Sequence, residues 1–167
     1  MTLLTKTGVL LLPVILLSVV ACGRHEPPAS IPLAPGIAQN LAQNPGSTAF
    51  WIDKIGSVTN PTSVNPIQVD EASDLNVNGW AIDKPAASVA GGVEMVLDGK
   101  PYQIPYGSRR EDLIDALHNP AYADAGFQTA FPARALGKGT HTLTFRILAH
   151  DRKSYFPTPG FTVIVGS

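Results

Sequence analysis

Cysteine is almost absent from this sequence, which has a single one, Cys22, in 167 residues. No intrachain disulfide and no multi-cysteine metal site can form, so a folded domain here must rest on its apolar core. Basic residues are not in excess: 12 Lys and Arg face 13 Asp and Glu, for a formal net charge of −1. That balance gives no field to steer nucleic acid, and no nucleic-acid partner is expected. The longest apolar run, 8–21, holds 14 residues, short of the ~20 a helix needs to cross a bilayer. Motifs of chemistry are missing too. There is no Gly-x-Ser-x-Gly elbow, and Ala90-Gly91-Gly92 leads into a strand rather than to the Lys-Ser/Thr of a phosphate loop. The four histidines, His25, His118, His141 and His150, show neither i, i+4 nor His-x-His spacing. His141 and His150 bracket one strand, about 30 Å apart at ~3.3 Å per residue. Neither a metal, a cofactor nor a catalytic set is expected.

What is present begins at the N-terminus. Lys6 precedes the apolar run, a small residue ends it at Ala21, and Cys22 follows. A basic start, a short apolar centre and a small residue before the cut are the grammar of a signal peptide. Val19-Val20-Ala21-Cys22 resembles the lipobox of bacterial lipoproteins, in which the thiol is acylated before cleavage. On that reading 1–21 is removed, Cys22 carries the lipid, and a mature chain of 146 residues remains of the 167. The absence of Asp after Cys22, where Gly23 and Arg24 stand, resembles lipoproteins sent to the outer membrane of Gram-negative cells.

Residues 22–46 contain prolines at 27, 28, 32 and 35, which remove amide donors and forbid a stable helix. They read as a semi-extended tether. A domain is expected over 47–167. Strands are predicted at 48–55, 67–69, 75–83, 92–98, 100–105, 127–133, 140–150 and 161–165. Leu143, Phe145, Ile147 and Ala149 share one face of a period-two pattern; Phe161, Val163 and Val165 repeat it, as do Val93, Met95 and Leu97. Asp98-Gly99 supplies a two-residue hairpin turn. Short strands with regular turn signals predict an all-β fold, an antiparallel sandwich. One helical insert is expected at about 109–125, opened by a capping box with Ser108 as N-cap and Glu111 reaching back. Leu113, Ile114 and Leu117 would lay an apolar stripe over an open end or edge of the sandwich. Asn119-Pro120 would close the helix and cap a second short turn.

Two places carry candidate binding residues. Trp80, in Asn78-Gly79-Trp80-Ala81-Ile82-Asp83, is either a core tryptophan between the sheets or an exposed platform for a sugar ring. Tyr106, Arg110 and Asp112 lie in a charged cluster at the helix start. Arg110 and Asp112 either fix the insert through ion pairs, or the guanidinium grips a carboxylate or sugar hydroxyls.

At these residues the chain resembles a family of immunoglobulin-like β-sandwich modules found in bacterial envelope and glycosyltransferase-associated proteins. The motifs that carry the resemblance are Gly79-Trp80-Ala81-Ile82-Asp83, Asp98-Gly99, Tyr106-Gly107 with Arg110-Glu111-Asp112-Leu113, Gly126-Phe127, and Leu136-Gly137-Lys138-Gly139-Thr140-His141. They span about 48–165. Glu111 stands where that family has Pro, and His141 follows Gly139-Thr140. The resemblance implies an immunoglobulin-like sandwich and no catalytic residues. The function expected is a non-catalytic binding or accessory module, held to the membrane through the N-terminal lipid and facing glycan or an envelope protein. The alternatives are a small envelope hydrolase, which would need two converging carboxylates, and an assembly subunit that pairs through exposed strand edges.

Overall fold

In the longest strands every second side chain is apolar, and the chain folds so that those side chains meet. The computed structural model describes residues 30–166; the expected signal segment, Cys22 and His25 lie outside them. Two sheets pack face to face. The first has β7 (Gly92–Leu97) and β11 (Gly139–Leu148) at its centre, with β8 (Lys100–Ile104) outside β7. Along the far side of β11 run β12 (Ser154–Pro157) and β13 (Phe161–Gly166), edged by β1 (Ala42–Gln43) and β4 (Ile67–Asp70). The second sheet runs β3 (Val58–Thr59), β2 (Ala49–Ile55), β5 (Asp74–Asp83), β10 (Gly126–Pro132), β9 (Tyr106–Ser108), with β6 (Ser88–Val89) on the end of β5. Pairing is antiparallel except for β1 with β12 and β4 with β13.

The interior is built from the expected faces. Leu143, Phe145 and Ile147 of β11 are buried against Ile52, Leu75, Val77, Phe127 and Phe131 of the second sheet. Phe145 sits between Phe127 and Phe161, with ring centroids 5.8 and 6.4 Å away. The Asp98-Gly99 turn forms as predicted, both residues at positive φ and Leu97 opposite Lys100. All eight predicted strands are present. Those the pattern did not reveal are β1, β3, β6, β9 and β12, of two to four residues each.

Two expectations are corrected. The helix α1 (Glu111–Leu117) has no capping box: Ser108 belongs to β9, opposite Gly126, and Arg110 flanks the helix without a side-chain cap. Its expected apolar stripe reduces to Leu113, the only residue of the helix that is buried, and it lies over the outer face of the second sheet, against Trp80 and Ile82. The second turn forms as expected, with the Asn119 side chain accepting from the Ala121 N–H.

The tether also does not run free as far as residue 46. Residues 34–44 cross the outer face of the first sheet from one edge to the other. The Ala34 carbonyl accepts from the Gln103 N–H at 2.8 Å and the Gly36 N–H donates to the Pro101 carbonyl at 2.9 Å, both on the β8 edge. At the other edge β1 pairs with β12, and the Asn44 N–H donates to the Tyr155 carbonyl at 2.8 Å. Midway, one Glu94 carboxylate oxygen accepts from the amides of Ile37 and Ala38. Glu94 is 1% exposed and Ala38 is buried with it. Prolines do not prevent this, because an edge segment needs only half of its groups paired; the unpaired rims of β8 and β12 supply the reason for it.

Candidate functional site

The conspicuous face of the molecule is the outer side of the second sheet. Its register sets side chains in rungs across β2, β5 and β10. Trp51 lies opposite Trp80, itself opposite Gly126; the next rung is Lys54, Asn78, Gln128, and the next brings Asn76 against Ala130. Between the first two rungs Asp53 is an extra residue, a bulge on β2. Trp51 is 43% exposed, a large aromatic surface turned to solvent. The rungs beyond it line a shallow groove of about 460 Å³ that includes Lys54, Asn76, Asn78, Gln128, Thr129 and Ala130.

Trp80 fits neither expectation. It does not lie between the sheets, nor does it stand open; it is half-buried under the insert, packed with Leu113, Tyr122, Ala125 and Ile82. Its rung partner Trp51 is the exposed indole instead. Tyr106 is likewise internal. Its hydroxyl donates to the Ala81 carbonyl at 2.7 Å and accepts from the Ala90 N–H at 2.9 Å, tying β9 to β5 and to the approach to β7. Burial pushes its pKa up to about 12.

Arg110 and Asp112 come together as a clamp. Arg110 Nε and Nη2 hold the two Asp112 oxygens at 2.8 and 2.7 Å, and Nη1 reaches Asp53 Oδ2 at 2.7 Å. The hydrogen bond from Arg110 holds the Asp112 carboxyl below its usual pKa. The guanidinium thus joins the insert to the β2 bulge, with two carboxylates already on it. The clamp shapes the rim of the face beside Trp51; it is not an open anion receptor.

The remaining motif residues are structural. A Cβ on Gly79 would lie 2.2 Å from the Trp51 carbonyl oxygen, and one on Gly126 would lie 2.3 Å from Ser108 Oγ. Asp83 is buried and accepts from the N–H groups of His150 (2.7 Å) and Ala86 (3.2 Å). His141 places one ring nitrogen 2.8 Å from Asp98 Oδ2 and the other 3.1 Å from the Gly137 carbonyl. Partial burial would raise the Asp98 pKa, but the hydrogen bonds from His141 and the Thr142 N–H outweigh it and hold it low. Comparison with family models, curated proteins and solved structures gives no match. Any functional reading therefore rests on the chain's own chemistry.

Trp51, Lys54, Asn76 and Gln128 escaped the sequence reading. One signal was available: Asn76, Asn78 and Trp80 alternate with Leu75, Val77 and Gly79, which puts two carboxamides and an indole on one face.

Proposed function

We propose that the protein is a lipid-anchored envelope lipoprotein whose β-sandwich is a non-catalytic glycan-binding module related to the immunoglobulin-like modules it resembles. The observation that carries this reading is the exposed Trp51 standing one rung from a row of carboxamide side chains. An indole face covers the apolar side of a sugar ring, and carboxamides donate to and accept from its hydroxyls. Two carboxylates beside the face, Asp53 and Asp112, are both engaged by Arg110, which supports binding rather than hydrolysis.

The anchor would be Cys22, in the outer membrane of a Gram-negative cell. Among the described residues the first main-chain bond to the sheet is at Ala34, and Ile31 and Leu33 already pack on the core, so at most nine residues, 22–30, separate the lipid from the fold. At ~3.5 Å per residue they reach no more than about 30 Å, so the module would stay close to the membrane surface. Cys22→Ser should give an uncleaved, unlipidated precursor; recovery of processed, membrane-bound protein from that variant would overturn the anchor.

A glycan array probed with the full-length protein in detergent tests the binding function, with Trp51→Ala as the control. Covering about 60 Å² of indole at ~25 cal/mol per Å² is worth about 1.5 kcal/mol, so Trp51→Ala should weaken binding about tenfold. A blank array across envelope glycans, or binding indifferent to Trp51, would remove this reading.

A further inference from the structure

We propose that the occupant of this face is a neutral glycan, laid across the strands along the Lys54–Asn78–Gln128 rung with one sugar against Trp51; this rests on the glycan-binding reading above. The argument is one of charge and hydrogen-bond chemistry. Among the described residues the carboxamides of Asn78 and Gln128 make no side-chain hydrogen bond, and that of Asn76 donates only to the Asp74 carbonyl, at 3.2 Å. Each carboxamide offers donors and an acceptor on the same group, as a sugar hydroxyl does. A carboxylate or sulfate ester accepts only, and leaves half of such a surface unsatisfied.

The charges point the same way. Lys54 is the one cation in the groove. It also borders an adjoining depression of about 450 Å³, which shares Asn76 with the groove and carries Asp70 and Asp74. Arg110, on the other flank, is bound to both Asp53 and Asp112. A polyanion crossing this face would meet more carboxylates than cations and gain no net attraction. With neighbouring strands ~4.8 Å apart, the rung from β2 to β10 spans about 10 Å, the length of a disaccharide, so two sugars fill it and a longer chain extends beyond.

Calorimetric titration of the full-length protein in detergent tests this, with cellohexaose and chitohexaose as neutral probes and an oligogalacturonate as the anionic one, at low and high salt. The neutral oligomers should bind with an affinity that salt changes by less than about twofold. Asn78→Ala and Gln128→Ala should each weaken binding about fivefold, and Lys54→Gln by less than about twofold. Preferential binding of the oligogalacturonate, falling with salt and lost in Lys54→Gln, would overturn the neutral assignment while keeping the face as the glycan site. Binding of neutral oligomers that ignores Trp51→Ala, Asn78→Ala and Gln128→Ala alike would overturn the face itself. No heat with any of the three would overturn the glycan function from which the inference starts.

Discussion

Glu94→Ala should destabilise the protein by about 3 kcal/mol, while Glu94→Gln should cost less than about 1 kcal/mol. Glu94 is a charged residue in the middle of β7 with almost no exposure, and the segment at Ile37 and Ala38 lies on it through two backbone amides. Alanine leaves both donors without an acceptor. Leaving two donors unsatisfied beside the space of a deleted buried side chain is the costly change. Glutamine keeps an oxygen acceptor for the two amides and removes a buried charge, so its loss and gain nearly cancel. Thermal unfolding separates the two: alanine should lower the midpoint by about 10 °C and glutamine by only a few. Equal midpoints for parent and Glu94→Ala would show that the carboxylate does not hold the segment.

The same variant has a local signature. Residues 34–44 are joined to the sandwich mainly by backbone hydrogen bonds at the two sheet edges and by Glu94. Released from Glu94, they should open as a unit below the global unfolding energy. Hydrogen exchange at the Ala38 and Gly36 amides should quicken in Glu94→Ala before that of the β11 core amides. With the lipid anchor proposed above, the attachment of this segment would set how far the proposed binding face stands from the membrane.

How much of this was legible in the sequence depended on the range of the interaction. Strands of five residues or more declared themselves, because the period-two pattern in β11 or β13 repeats often enough to be read; of the two four-residue strands β4 was legible and β12 was not. β1, β3, β6 and β9, of two or three residues, hold no period at all. The crossing segment was missed because its partner lies more than fifty residues away, yet a trace existed. Glu94 is the one charge in Gly92-Val93-Glu94-Met95-Val96-Leu97, and a lone carboxylate inside an apolar strand requires donors from somewhere. The capping box failed because Ser108 was claimed by pairing with Gly126, a tertiary contact overriding a local motif. Trp51 was hidden by its neighbours. Phe50-Trp51-Ile52 reads as a uniform apolar run, and the bulge at Asp53 shifts the phase of β2, so alternation could not tell which of the three faces solvent.

The Gly-Trp-Ala-x-Asp motif is explained by the backbone geometry beneath the face rather than by ligand chemistry, and its glycine makes the sharpest test. At Gly79 the bulged strand β2 comes so close that an added Cβ would meet the Trp51 carbonyl oxygen at 2.2 Å, the Phe127 ring at 2.8 Å and the Ile52 Cα at 3.2 Å. Two of those three atoms are main chain, and no rotamer change can withdraw them. Gly79→Ala must therefore push β2 off β5, where six residues of β2 pair, or displace Phe127 from the ring cluster. Overpacking a well-filled core costs about 1–3 kcal/mol, and a clash with backbone belongs at or above the upper end, so a loss of at least about 3 kcal/mol is expected. Gly166→Ala is the matched control, since nothing lies within 4 Å of its added Cβ, and it should stay within about 0.5 kcal/mol of the parent. Urea unfolding of the two variants reads the difference directly. If Gly79→Ala were as stable as Gly166→Ala, the close approach of β2 to β5 would be wrong, and with it the placement of Trp51 on the outer face.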